Sequence, residues 1–290
     1  MEEKNKTLGG VLYLVATPIG NLADLSERAL KVLSEVDFVA AEDTRNSGLL
    51  LSRCGIQKPL VSYFEHNKRE RGEHIVGRLL AGESCALVTD AGTPAISDPG
   101  EDLVRLCAER GVPVSSIPGP CAAITALTLS ALPTRRFTFE GFLPTENKPR
   151  RELLAELAGE TRTMIFYEAP HRLRATLELF SETFGADRPI TLCRELTKLN
   201  EEATRTTLGG AVALYAEKEP RGEYVLVVGG GKAKAGADDY PEDPAAHVEA
   251  LMAGGLDRME AIKAAAKARG LSKGKFYAML EAAKTDGNGR

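Results

Sequence analysis

Val11-Leu12-Tyr13-Leu14-Val15-Ala16 runs straight into Thr17-Pro18-Ile19-Gly20-Asn21. An apolar, partly β-branched run that stops at a proline and a glycine reads as a buried strand ending in a loop. Leu25, Ala29, Leu30 and Leu33 follow at helical spacing, so the unit is strand, loop, helix. It recurs three times. Residues 38–41 precede Glu42-Asp43-Thr44-Arg45, residues 85–89 precede Asp90-Ala91-Gly92-Thr93-Pro94, and residues 112–117 precede Pro118-Gly119-Pro120 and a helical stretch at 122–129. Such alternation predicts an α/β domain with a mostly parallel sheet. Its ligands should gather at the carboxyl ends of the strands.

Leu132-Pro133-Thr134-Arg135-Arg136 breaks the pattern. Beyond it, strands are expected at 137–142, 164–167, 190–194, 204–208 and 223–228, and helices at 150–158, 172–183 and 210–217. This is a second α/β unit with a mixed sheet. Gly229-Gly230-Gly231-Lys232 opens a Lys/Ala/Gly/Asp stretch with the composition of a flexible linker. The expected division is 1–135, 136–231, a linker at 232–243 and a helical tail at 244–290. In the tail, helices at 258–268 and 273–283 flank the turn Arg269-Gly270-Leu271-Ser272, with Ser272 a good N-cap. The arrangement is helix-turn-helix-like and presents Lys273, Lys275 and Tyr277. A grip on nucleic acid and a small three-helix packing module both produce this pattern.

The composition narrows the function classes. A chain of 290 residues with 43% hydrophobic content can bury a large core, which excludes a disordered or fibrous protein. A formal net charge of −4 supplies no general attraction to nucleic acid, so any RNA contact must come from local basic patches. Five cysteines without a CxxC pair and four scattered histidines point to a reducing compartment and no structural zinc. The N-terminus lacks an apolar signal core and no apolar run reaches membrane-spanning length, so a cytoplasmic protein is expected.

Three strand ends in one sheet, at 17–21, 90–100 and 117–122, are rich in glycine and proline. Each alone is an ordinary loop. Together they suit a nucleoside cofactor, which needs backbone N–H and C=O groups exposed at close range. A dinucleotide fold lacks support, since no GxGxxG follows a strand. Gly229-Gly230-Gly231-Lys232 resembles a phosphate loop, yet Ala233 stands where Ser or Thr would bind magnesium.

Longer motifs carry a family resemblance. Val-Ala-Thr-Pro-Ile-Gly-Asn-Leu at 15–22, Ala-Glu-Asp-Thr-Arg at 41–45 and Thr-Asp-Ala-Gly-Thr-Pro-Ala-Ile-Ser-Asp-Pro-Gly at 89–100 resemble the ribosomal small-subunit RNA cytidine 2′-O-methyltransferases. Ile-Pro-Gly-Pro-Cys-Ala at 117–122, Gly-Phe-Leu-Pro at 141–144 and Phe-Tyr-Glu-Ala-Pro-His-Arg at 166–172 extend the match over roughly residues 10 to 230. That group belongs to the tetrapyrrole-methylase-like superfamily. The resemblance implies two α/β domains with S-adenosylmethionine in the cleft between them, a homodimer, and methylation of a cytidine in the decoding region of 16S ribosomal RNA or of the small subunit. It assigns Pro18, Ala91, Gly92, Thr93, Ile96, Cys121 and Ala122 to the cofactor, with Glu168 and Leu196 as further contacts from the second domain. Ala16-Thr17-Pro18-Ile19-Gly20 and Gly92-Thr93-Pro94 depart from the glycine-rich and Gly-Asp-Pro loops of the small-molecule branch. The departures argue against a porphyrinoid substrate. A small-molecule methyltransferase and a non-enzymatic nucleic-acid-binding regulator are the competing readings.

Methyl transfer from a sulfonium is an in-line displacement, so positioning the hydroxyl can supply much of the rate. Asp43 and His66 are the expected candidates for a base that removes the hydroxyl proton. Arg45 and Asn67 are the expected substrate-positioning groups, with Lys273 and Lys275 on phosphates. Capping of a helix explains Asp43 equally well, and no metal is required.

Overall fold

In a computed structural model, residues 6–231, 240–241, 243–269 and 271–287 are described, the last seven as helix backbone. The chain forms two compact units, residues 1–231 and 232–290. Most of the expected linker at 232–243 lies outside the described residues.

The first unit contains two five-stranded sheets. In the first, β1 (Leu12–Val15), β2 (Phe38–Ala41), β3 (Leu60–Ser62), β4 (Cys85–Val88) and β5 (Val114–Ile117) are all parallel, in the order β3-β2-β4-β1-β5. The three inner strands β1, β2 and β4 are covered on both faces, which explains why they read as continuous apolar runs. Side chains alternate along each strand: Tyr13, Val15, Val39 and Ala41 pack with α1 (Glu27–Glu35) and α2 (Thr44–Arg53). Leu12, Phe38, Ala40 and Cys85 face α3 (Lys68–Leu80) and α4 (Gly100–Glu109).

That alternation positions the site. β1 and β4 are neighbours, but the chain leaves β1 toward α1 on one face and leaves β4 toward α4 on the other. Their loops diverge and open a crevice at the carboxyl ends, the usual ligand position in such a sheet. The last helix of this half, α5 (Ala122–Leu129), buries Ala123, Ala126 and Leu127 against Ile165, Cys193 and Val225 of the second sheet. The Thr191 hydroxyl donates to Ser130 O at 2.9 Å and the Thr163 hydroxyl to Pro133 O at 2.7 Å, fastening the two halves together.

The second sheet is mixed, as expected. β6 (Phe137–Phe142) and β7 (Thr163–Glu168) are parallel, while β10 (Tyr224–Val228), β8 (Pro189–Arg194) and β9 (Glu202–Thr207) complete the order β6-β7-β10-β8-β9 with antiparallel pairs. Its other face carries α6 (Asn147–Leu157), α7 (Leu173–Phe184) and α8 (Leu208–Glu217) over a core that includes Phe166, Phe180 and Tyr215.

Among its described residues the second unit has three helices, α9 (Pro244–Ala253), α10 (Arg258–Ala268) and α11 (Lys273–Gly287). Its core is small: Val248, Ala261, Ile262, Ala265, Ala266 and Phe276. Asp243 caps α9, and Asp257 caps α10 by accepting from Glu260 N at 2.8 Å. No described helix is long and apolar enough to cross a membrane.

Candidate functional site

Three loops of the first sheet are tied into one wall. Thr17 N donates to Gly92 O at 2.9 Å and Gly92 N to Thr17 O at 3.0 Å, a single antiparallel bridge across the crevice between β1 and β4. The Thr17 hydroxyl also donates to Thr89 O at 3.1 Å. On the other side, the Thr93 hydroxyl donates to Pro120 O at 2.9 Å, which attaches the loop after β5. Gly92 has a φ of +84°, open to glycine at no steric cost. A Cβ there would stand 3.4 Å from Ile19 Cγ2 and 3.7 Å from Pro120 O, within the space that the loops enclose.

Across from this wall lie the ends of β7, β8 and β10. The cleft between them has a volume of about 500 Å³, within the roughly 300–1,000 Å³ range of small-molecule sites. Of the nine residues expected at a cofactor, Ala91, Gly92, Thr93, Ile96, Cys121, Ala122, Glu168 and Leu196 line it. Pro18 does not line it and sits between bridging Thr17 and lining Ile19. The lining is acidic: Glu42, Asp90, Asp98, Glu168, Glu195 and Glu223 face Arg194 and Lys198. Volume and negative lining together fit a nucleoside that carries a sulfonium cation.

Part of the cleft was not read from the sequence. Asp98 accepts from Ala95 N at 3.0 Å, Ile96 N at 3.3 Å and Gly100 N at 2.7 Å, so its carboxylate folds the loop after β4 around itself. This loop holds Ala95 and Ser97 at a φ of +66°, and the loop after β8 holds Glu195 at +52° and Thr197 at +66°. Non-glycine residues in this region cost energy and persist where surroundings over-determine them, characteristically at binding sites. The Thr197 hydroxyl is buried with no hydrogen-bond partner among the described residues. Tyr167, also at the cleft, is pushed up to about 12 by burial, so its phenol stays neutral.

Glu168 lines the cleft but is committed elsewhere. Its carboxylate accepts from the Thr176 hydroxyl at 2.5 Å and from Ala169 N at 2.9 Å, and Arg172 Nε lies 3.5 Å away. These partners keep a nearly fully buried carboxylate satisfied and fix the end of β7.

The expected catalytic pair is not brought together. Asp43 is the N-cap of α2 and accepts from Arg45 N at 2.8 Å, while Arg45 grips the same carboxylate through Nε at 3.1 Å and Nη2 at 2.6 Å. Hydrogen bonds from the Arg45 side chain and backbone lower the Asp43 carboxyl to about 2. The Arg45 side chain remains 89% exposed. His66 and Asn67 line a separate shallow depression with Arg69, Glu70 and Glu73, which shares no residue with the cleft. Asn67 holds its own loop, its side chain accepting from Phe64 N at 2.8 Å and donating to Ser62 O at 3.2 Å. The carboxylates that do line the cleft near Asp43 are Glu42, which accepts from the Thr89 hydroxyl at 2.9 Å, and Asp90, which accepts from Asn46 Nδ2 at 3.1 Å. Lys273 and Lys275 are exposed in the first turn of α11, in the second unit.

Known proteins resemble this chain. The family model of the Tetrapyrrole (Corrin/Porphyrin) Methylases matches residues 11–212. Ribosomal RNA small subunit methyltransferase I of Synechocystis is 46% identical over 278 residues, covering 96% of this chain and all of that protein. The protein of the same name from Escherichia coli is 47% identical over 270 residues, covering 92% of this chain and 93% of its own. Among solved structures, uroporphyrin-III C-methyltransferase from Thermus thermophilus, complexed with S-adenyl homocysteine, aligns with a TM-score of 0.54 at 19% identity. That alignment covers 75% of this chain and 96% of the other, and it supports the fold alone.

Proposed function

The chain belongs to the tetrapyrrole methylases and, within them, to the ribosomal RNA small subunit methyltransferase I family, and from that premise we propose that it 2′-O-methylates a cytidine in the decoding region of 16S ribosomal RNA. It is an S-adenosylmethionine-dependent methyltransferase. The observation that carries the RNA reading is the end-to-end match to relatives of that name, which includes the helical tail. In this reading the acceptor is 16S ribosomal RNA or the small subunit, and the enzyme works as a cytoplasmic homodimer.

S-adenosylmethionine, when bound, supplies an electrophilic methyl group on a sulfonium. Ala91, Gly92, Thr93 and Ile96 would hold it from one wall, Cys121 and Ala122 from the start of α5, and Leu196 from the second sheet. Pro18 stiffens the loop behind them, and Glu168 fixes the end of β7. The protein's main task is to hold the 2′-oxygen in line behind the methyl group, where orientation can replace several kcal/mol of barrier, up to about 7–11 kcal/mol in favourable cases.

A proton acceptor would add roughly 10²–10⁴-fold. Asp43, lowered to about 2 and held by Arg45, is a weak base, so its part is to aim Arg45 at the RNA. Glu42 and Asp90, which line the cleft beside Asp43, take that role in this reading. His66 and Asn67 fall to the outer RNA contacts, with Lys273 and Lys275 on phosphates.

The test uses purified small subunits from a strain that lacks the endogenous enzyme, with labelled S-adenosylmethionine. Mapping should place one new 2′-O-methylcytidine in the decoding region. Label on a base, or on a porphyrinoid acceptor but not on the subunit, overturns the reading.

A further inference from the structure

The register of β6 contains an irregularity that aims one side chain. Phe139 lies opposite Ile165, Gly141 opposite Phe166 and Phe142 opposite Tyr167, so β6 carries one extra residue between Phe139 and Gly141. In a regular strand residues three apart point to opposite faces. The inserted residue, Glu140, cancels that and puts Phe139 and Phe142 on the one face shared by Ile165 and Tyr167. That is the face toward α5, where Phe139 and Tyr167 pack and where the cleft begins.

The bulge lies close against the loop after β4. Gly141 has a φ of +63°, and a Cβ there would stand 3.1 Å from Ser97 Oγ. Ser97 belongs to the loop after β4 and is itself at a φ of +66°. A left-handed glycine of β6 and a left-handed serine of the other sheet's loop therefore meet where β6 turns Phe142 into the cleft.

The ring so presented is supported from one side only by aromatics. Tyr167 meets Phe142 edge-on, with centroids 5.5 Å apart at 61°, and Phe139 meets Tyr167 at 5.1 Å and 71°. Phe142 remains 51% exposed while Leu196, Val225 and Tyr224, on the same side of the cleft, are 6%, 6% and 2% exposed. Those three form the deep wall, and Phe142 stands at the mouth.

We infer that Phe142 is the platform on which the base of the acceptor nucleotide stacks, and so determines how that nucleotide is presented to the methyl donor. The inference rests on the ribosomal RNA reading above. To bring a ribose hydroxyl into a recessed cleft, the nucleotide must leave its neighbours' stack, and an unstacked base regains that contact on an aromatic side chain. A stacked base is held in plane but not identified by hydrogen bonds, so Phe142 fixes presentation while other groups read the base.

The test compares wild type with Phe142→Ala, Phe142→Leu, Phe142→Tyr and Phe142→Trp in single-turnover methylation of small subunits from the deficient strain. S-adenosylmethionine affinity is measured in parallel by calorimetry. Phe142→Ala and Phe142→Leu should each lose about 10- to 100-fold in methylation at subsaturating subunit, the usual range for one lost base–aromatic stack. Phe142→Tyr and Phe142→Trp should stay within about threefold of wild type, since both keep a π face, and all four should bind S-adenosylmethionine as wild type does. If Phe142→Ala does not fold, the Leu and Tyr variants carry the comparison. Equal methylation by the Leu and Tyr variants overturns the stacking role. A loss of cofactor affinity that matches the loss of methylation assigns the ring to the cofactor instead and also overturns it. Failure of wild type to methylate the subunit is a separate outcome that sinks the ribosomal RNA reading itself.

Discussion

Thr17 and Gly92 exchange both of their backbone hydrogen bonds, at 2.9 and 3.0 Å, although 75 residues separate them in sequence and they belong to loops that leave the sheet in opposite directions. The bridge ties the loops after β1 and β4 together, and residues 89–93 of the second loop line the cleft.

Gly92→Val should therefore abolish S-adenosylmethionine binding while the protein stays folded. The backbone φ of +84° disfavours a β-branched residue, at about 1–3 kcal/mol, and the added side chain would enter the space between Ile19 and Pro120. Calorimetry and circular dichroism on the variant test this. Unaltered cofactor affinity in a folded protein would show that this loop is not the cofactor wall.

Asp43→Asn should lower methyl transfer at least tenfold without moving the acidic limb of the pH–rate profile. Asparagine can still cap α2, but it gives up the charged grip on Arg45. The Asp43 carboxyl lies near 2, so it stays ionised wherever the enzyme is assayed and cannot itself produce that limb. The sign of the linkage agrees: the stability it contributes is present above the ordinary carboxylate range near pH 4 and is lost progressively as pH falls from there through about 2. His66→Ala, outside the cleft, should keep cofactor affinity and lose less than Asp43→Asn. A limb that shifts in Asp43→Asn, or a His66→Ala enzyme that is the more impaired of the two, would restore the base role to one of these residues.

The second unit should loosen in mild acid. His247 Nδ1 accepts from Arg269 Nε at 3.3 Å, and the imidazole stacks on Tyr240 with centroids 4.4 Å apart and planes 4° from parallel. Burial, with the Arg269 charge as the second cause, holds His247 below its ordinary value near 6.5. A base with a depressed folded pKa favours folding above its unfolded pKa, so the stability it contributes is lost as pH drops below about 6.5. Hydrogen exchange in α9 and α10 of the full chain, corrected for intrinsic rates, should accelerate between pH 7.5 and 5.5 more than exchange in β1 and β4. Equal change in both places would contradict it.

Much of this architecture is legible in the chain because β1, β2, β4 and β10 are buried apolar runs and α1, α2, α8, α9 and α10 start at side-chain caps. Residues 38–41, 122–129, 137–142 and 258–268 form elements with the bounds that their apolar patterns predict. The loops that line the cleft are legible because glycine and proline punctuate the strand ends. The separation of His66 from the cleft has a cause that no local pattern reveals: β3 is the edge strand, with β2 between it and β4. Two strand spacings of about 4.8 Å carry its loop roughly 10 Å from the crevice. Phe142 was invisible for a similar reason, since the bulge that turns it inward is defined by pairing with β7. Asp98 could have been found, because Ser-Asp-Pro-Gly is a turn sequence in which an Asp side chain accepts from the backbone two residues on.

The last expectation concerns α11. Lys273 and Lys275 are exposed in its first turn, with Phe276 beside them buried in the tail's core. Cations at a helix N-terminus oppose the helix dipole and weaken the helix, whereas the same end attracts phosphates. The lysines are thus placed where they cost stability alone and recover it against an anion. A chain ending at Gly231 keeps both sheets and the whole cleft, so it should bind S-adenosylmethionine as the full chain does. It should methylate small subunits with a weaker apparent affinity, and the Lys273→Glu/Lys275→Glu double variant should behave similarly. Each lost phosphate contact removes about 0.7–0.9 from the slope of log affinity against log salt, so two lysines account for a change of about 1.5. Full-length, truncated and doubly substituted proteins are compared across a salt series with the same subunits. One common slope and one common affinity would make the tail a packing or dimer element and leave the RNA grip to the cleft, because a basic helix turn that contacts no phosphate releases no counterions.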